Sequence, residues 1–179
     1  MERLRPASPA DVGFLEAMLV LAVDWRPGTP SRPVPVALDD PELARYVVDW
    51  PRPGDFGVIA EDAAGRPLGA AWCRTFPAAA PGYGFVSPEI PELSIAVLPT
   101  ARGQGVGRAL MERLVAHARA QGVACVSLSV EVGNSARDLY ISLGFTVVEE
   151  HRGSTVMVLD LDGRNDDAPP LGNGSRRGR

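Results

Sequence analysis

Lysine is absent: all 18 basic residues of the chain are arginine. A Walker-type phosphate loop needs a lysine that reaches the terminal phosphates, so that class of nucleotide site is excluded. The protein also has no side-chain amine of its own to modify. Cysteine is scarce, with Cys73 and Cys125 each inside an apolar strand pattern and without partners at metal-ligand spacing. Neither a disulfide framework nor a cysteine metal site is expected, and two reduced thiols point to a cytoplasmic protein. Long apolar runs are missing too. The run from Val12 to Val23 is broken by Glu16 and follows Pro6, Pro9 and Asp11, which suits neither a signal peptide nor a membrane span. A net charge of −4 argues against nucleic acid or an anionic membrane as main partner. It fits plain solubility, or a cationic acceptor.

What is present is enough for one core. The chain has 179 residues, 45% of them hydrophobic, and no internal repeat. A single domain over residues 1–162 is expected. Residues 163–179 mix Asp166, Asp167, Pro169, Pro170 and arginines without periodicity, the pattern of a disordered tail.

The informative stretch runs from Glu92 to Gln121. Leu93, Ile95 and Val97 recur every second residue, which predicts a buried strand. Val106, Leu110, Leu114 and Ala118 recur every fourth residue against Arg108, Glu112, Arg113 and Arg119, up to Gly122, which predicts an amphipathic helix with a glycine stop. Between them lies Arg102-Gly103-Gln104-Gly105-Val106-Gly107. Alternate glycines at a helix mouth leave backbone N–H groups bare at the positive end of the dipole, and such a mouth binds anions, phosphate above all. A plain tight turn is the competing reading. A dinucleotide fingerprint fits poorly, because its third glycine should follow the second by three residues.

The spacing Arg102-x-x-Gly105-x-Gly107 after Leu93-Ser94-Ile95-Ala96-Val97 resembles the coenzyme A signature of the GNAT superfamily of N-acyltransferases. A second block agrees: Asn134-Ser135-Ala136-Arg137-Asp138-Leu139-Tyr140-Ile141-Ser142-Leu143-Gly144-Phe145 is similar to that family's closing segment. The resemblance implies a single-domain, mixed-sheet α/β fold whose two central parallel strands splay apart around the pantetheine arm. It implies acetyl transfer from acetyl-CoA to a primary amine of an acceptor, by direct attack on the thioester and without a metal. Backbone groups of Ile95, Ala96 and Val97 would meet the arm. Amides from Gly103 through Gln104, Gly105, Val106 and Gly107 to Arg108, with Arg102 beside them, would hold the pyrophosphate.

Direct transfer needs a proton taken from the ammonium and one given to the leaving thiolate. Tyr140 matches the family's general acid. Glu92, where the central strand begins, leads as general base, with Glu131 at the end of the neighbouring strand competing; a solvated strand-end carboxylate is the alternative for each. Asn134 stands one residue nearer the tyrosine than in the commoner family spacing, so it is read either as a cofactor contact or as the cap of the short helix. An acyl-CoA-binding sensor without turnover is the alternative from another class, and a homodimer is left open.

The rest of the chain is read more coarsely. A short strand at Leu4 and Arg5 leads through Ser8, Pro9 and Asp11 into a helix ending near Val23. A proline-rich loop from Asp24 to Pro35 carries Trp25, and a second helix is expected over 40–49. Phe56 to Glu61 and Leu68 to Phe76 predict an antiparallel hairpin. The loop from Pro77 to Pro91, with Gly82, Tyr83, Gly84 and Phe85, is the expected substrate-facing lid. A strand from Cys125 to Val130, with Ser127 and Ser129 on one face, and a final hairpin over 145–161 complete the chain.

Overall fold

The computed structural model describes residues 3–151 and 153–163; the expected tail therefore falls outside the described residues from residue 164 on. One seven-stranded sheet organises the chain: β1 (Arg3–Pro6), β2 (Phe56–Glu61), β3 (Pro67–Arg74), β4 (Glu92–Val97), β5 (Cys125–Glu131), β6 (Thr146–His151) and β7 (Ser154–Asp160), in the order β1-β2-β3-β4-β5-β7-β6. Neighbours are antiparallel except β4 and β5. That pair is parallel because α4 (Val106–Ala120) carries the chain back across the sheet, as a parallel crossover requires. The mixed α/β sheet expected from the sequence is present.

Alternation along the strands divides the apolar residues between two cores. On one face Val106, Leu110, Met111, Leu114 and Ala118 of α4 pack on Leu93, Val126, Leu128 and Met157, joined by Tyr140 from α5 (Ala136–Ser142). On the other face α1 (Val12–Val23), α2 (Val34–Leu38) and α3 (Pro41–Ala44) cover Ile59, Ala70, Trp72 and Ala96. Each fully buried Leu or Met contributes about 1.5–3 kcal/mol, so the six buried residues of the α4 stripe anchor that helix, and its glycine mouth with it, to the sheet.

One expectation is corrected. Of the helix placed over 40–49 only α3, Pro41–Ala44, is helical, and residues 45–49 form turns; a further short helix, α2, lies ahead of it inside the proline-rich loop. Pro33 and Pro35 at the start of α2, and Pro41 at the start of α3, lie where a helix needs no amide donor. Beyond Ala44, donors from β3 take the carbonyls. Arg74 Nη1 donates to Arg45 O (2.7 Å) and Val48 O (2.9 Å), and Trp72 Nε1 donates to Tyr46 O (3.1 Å).

The central strands separate. β4 and β5 share one register pair, Glu92 with Ser127, beside the bond from Ser127 N–H to Pro91 O (3.0 Å). The other edge of β5 pairs with β7 along its whole length, from Cys125 to Glu131. β5 follows β7 and leaves β4 with an open edge.

Candidate active site

The glycine loop opens onto that edge. Gly105 is the N-cap of α4 at φ +89, with no side chain capping it, and Gly103 is at φ +73. A Cβ built on either glycine meets nothing within 4 Å, and one on Gly107 touches only Leu139 and Val97 at 3.7 and 3.8 Å. The helix therefore presents its first amides, which lack intrahelical acceptors, to open space. Arg102 stands beside them with Nε donating to Val97 O (3.1 Å). Among the described residues no carboxylate pairs with it. Gln104 is tied back to Thr100 O (2.9 Å) and Arg108 reaches Ser142 Oγ (2.7 Å), leaving the mouth unplugged.

Backbone direction along β4 alternates. Leu98 N–H bonds Leu68 O on the β3 side (2.8 Å), whereas Pro91 O faces β5. Two-residue alternation between these points turns the polar groups of Ile95 and Val97 toward the gap, and the Arg102 bond to Val97 O agrees. Ala96 differs: by the same alternation its N–H and C=O belong to the ladder with Ala70 on β3, and its side chain packs in the core covered by α1 to α3.

Glu92 begins β4 on the face covered by α1 to α3 and is only 4% exposed. Its Oε1 accepts a hydrogen bond from Tyr46 Oη (2.7 Å). Oε2 is buried and without a partner; the Gly84 amide favours the charged form but stands outside hydrogen-bond geometry. Burial dominates, pushing the Glu92 pKa up to about 7, against the opposing Tyr46 bond and Gly84 amide. Such a carboxylate exchanges protons near neutral pH. The loop from Pro77 to Pro91 lies directly over it. Tyr83 N–H donates to Tyr46 Oη (2.7 Å), and a Cβ on Gly82 would collide with Glu92 Oε2. A Cβ on Gly84 would lie 2.5 Å from Leu128 C on β5. Only glycine lets the chain lie this close, so the predicted lid is a roof held on the carboxylate and on β5.

Tyr140 is on the opposite face, in the α4 and α5 core, with its ring 5.8 Å from that of Phe145. Burial alone pushes its pKa up to about 12, so the phenol stays protonated and available to donate. Glu131, at the end of β5, is engaged elsewhere: Oε2 accepts from Trp25 Nε1 (2.8 Å) and pairs with Arg26 (2.6 Å), which straps the 24–33 loop to the strand. Asn134 Oδ1 accepts the Ala136 N–H (3.0 Å), the capping geometry for α5. The structure thus gathers Glu92, the glycine loop, Ile95, Val97 and Arg102 around the split between β4 and β5. Glu131 and Asn134 already have partners at its far end.

Residues 18–145 match the acetyltransferase (GNAT) family. The chain belongs to it. Within this family it is 38% identical over 103 residues to mycothiol acetyltransferase of Beutenbergia cavernae, covering 57% of this chain and 32% of that protein. It is 35% identical over 82 residues to the [ribosomal protein bS18]-alanine N-acetyltransferase of Haemophilus influenzae, 46% of this chain and 49% of that one. The GNAT chain thus spans about a third to a half of the length of these relatives. Among solved structures it is similar to yncA of Salmonella typhimurium, determined with its cofactor acetyl-CoA: 27% identity, TM-score 0.65, covering 94% of this chain and 98% of that one.

Sequence reasoning missed Tyr46 and Arg74. Tyr46 lies in a segment read as helix, where nothing marks one tyrosine as a carboxylate's partner. Arg74 closes an apolar strand, and its full burial depends on Asp55, whose carboxylate accepts from Arg74 Nη2 at 2.5 Å.

Proposed function

We propose that the protein is an acetyl-CoA-dependent N-acetyltransferase that moves an acetyl group to a primary amine. The observation that carries this is the opening of β4 from β5 beside an uncapped glycine mouth. An acyl-CoA carries a diphosphate and an extended amide-bearing arm. Bare helix amides with Arg102 suit the first, and an unpaired strand edge at Ile95 and Val97 suits the second. The thioester supplies the activated acetyl group. Glu92 takes a proton from the incoming ammonium, and Tyr140, on the other face of the sheet, gives one to the departing thiolate. The engaged Glu131 is the lesser base candidate, and Asn134 serves the cofactor only through its place at α5.

The relatives named above are, by their names, a mycothiol acetyltransferase and an N-acetyltransferase of a ribosomal protein alanine, and a primary amine is the acceptor class proposed for this chain. No helix among the described residues is long and apolar enough to cross a membrane, and two free cysteines support the cytoplasmic expectation. The homodimer is carried as part of this proposal, to be read from sedimentation. The central test is titration calorimetry with acetyl-CoA on the wild type and on Gly105→Trp, together with thiol release across a panel of amines. The wild type binds and releases thiol, and the variant binds at least tenfold more weakly. Equal binding by both proteins removes the glycine mouth from the reading.

A further inference from the structure

Two buried polar atoms stand without partners at one level of the sheet. Glu92 Oε2 and Ser127 Oγ are both unbonded, in residues 4% and 0% exposed. Glu92 and Ser127 are the register pair of the parallel strands β4 and β5, and register partners in a parallel pair project from the same face. An unsatisfied buried polar group costs about 1–3 kcal/mol, so two on the same face of paired strands call for a polar partner. The roof over them is backbone: a Cβ on Gly82 collides with Glu92 Oε2, and one on Gly84 falls 2.7 Å from Ser129 N.

We propose that Glu92 Oε2 and Ser127 Oγ together form the recognition subsite for the acceptor's ammonium, closed by the Gly82–Gly84 roof. This rests on the acetyltransferase reading. A carboxylate oxygen and a hydroxyl oxygen on neighbouring strands accept two hydrogen bonds, and a primary ammonium has three to donate and no acceptor to clash. A carboxylate or phosphate ligand meets Glu92 as a like charge, and a quaternary ammonium has no N–H to give. Entry requires the roof to lift, breaking the Tyr83 N–H bond to Tyr46 Oη while Tyr46 keeps its bond to Glu92 Oε1. Ser127 is thereby a residue that selects primary amines, and Tyr46 one that positions the base beneath a movable cover.

The test uses n-propylammonium as probe, read at the carboxyl carbon of Glu92 in protein labelled with ¹³C-glutamate, the resonance being assigned by its loss in Glu92→Gln. In the wild type the probe shifts that resonance saturably, whereas trimethylpropylammonium does not. Ser127→Ala weakens the probe about tenfold, the size expected for losing one hydrogen bond to a charged group, and acetyl-CoA affinity serves as the check that this variant is folded. Absence of a saturable shift in the wild type, equal response to the quaternary probe, or equal affinity in folded Ser127→Ala overturns the subsite. Failure of the underlying reading shows separately, as acetyl-CoA binding indifferent to Gly105→Trp.

Discussion

Arg74 and Glu92 face one another across β3 and β4 as register partners, both buried, and they form no ion pair. Arg74 directs Nε and Nη2 to Asp55 and Nη1 to the carbonyls of Arg45 and Val48. Its charge is neutralised by a buried carboxylate on the side away from Glu92, with side chains 1% and 3% exposed. Glu92 consequently has the desolvation of the interior without a cation to offset it.

Asp55→Asn tests that arrangement. Removing one member of a buried pair costs about 3–5 kcal/mol, which for a domain of this size lowers Tm by roughly 10 °C. The uncompensated Arg74 charge then acts on Glu92 and moves its pKa down from about 7. Calorimetric melting and a ¹³C titration of the Glu92 carboxyl read the two effects together. A melting loss without any downward movement of Glu92 contradicts the account of why this carboxyl titrates near neutrality.

The same pKa sets the pH dependence of transfer. As a base Glu92 must be ionised, so kcat/KM for acetyl transfer rises with pH and levels off above about 7. Glu92→Gln removes that limb and lowers kcat on the order of 10²-fold. Tyr46, Tyr83, Cys73 and Arg74 surround the group. Burial pushes the Tyr46 phenol and the Cys73 thiol up, and Tyr83 is raised as well, so these three supply no competing limb near 7. A steady-state pH series on both proteins decides the matter.

Stability carries the opposite sign. The folded-state pKa of Glu92 is raised above its unfolded value of 4.5 to about 7. Below 4.5 both states are protonated and the group is neutral in effect. Between 4.5 and 7 the unfolded chain releases its proton first and stability falls, reaching a loss of roughly 3 kcal/mol above 7. Glu92→Gln, which stays neutral, is therefore more stable than the wild type at pH 8, and the difference fades by pH 4.5. Urea denaturation at the two pH values measures this.

The parts of this fold written in periodicity were legible. The strand at Leu93, Ile95 and Val97, the helix from Val106 to its stop at Gly122 (φ +74), and the hairpins all follow from local pattern and glycine placement. Glu92 was visible because it begins the strand, and the lid because two glycines flank Tyr83. Segments shaped by distant donors were not legible. The chain from Arg45 to Asp49 abandons its helix since Arg74 and Trp72, more than 20 residues away, take its carbonyls. Glu131 is engaged by Trp25 and Arg26, which are 106 residues from it in the case of Trp25. Such partnerships are set by topology, and no spacing rule reports them.

The glycine mouth gives the last prediction, in which strain and binding must be separated. Gly105 and Gly65 share a left-handed backbone, φ +89 and +77, and each has open space where a Cβ would go. Alanine at either position carries a similar conformational cost, about 1 kcal/mol or slightly more, and so a similar small loss of Tm. Only Gly105 lies at the start of α4; Gly65 is in the turn between β2 and β3. If the bare amides hold a diphosphate, Gly105→Ala weakens acetyl-CoA binding about tenfold while Gly65→Ala leaves it unchanged. Calorimetric titration of both variants against their melting curves separates the effects. Parallel losses of affinity in the two variants assign the effect of Gly105 to stability alone, because a turn on the far side of the hairpin has no route to the cofactor except through the fold as a whole.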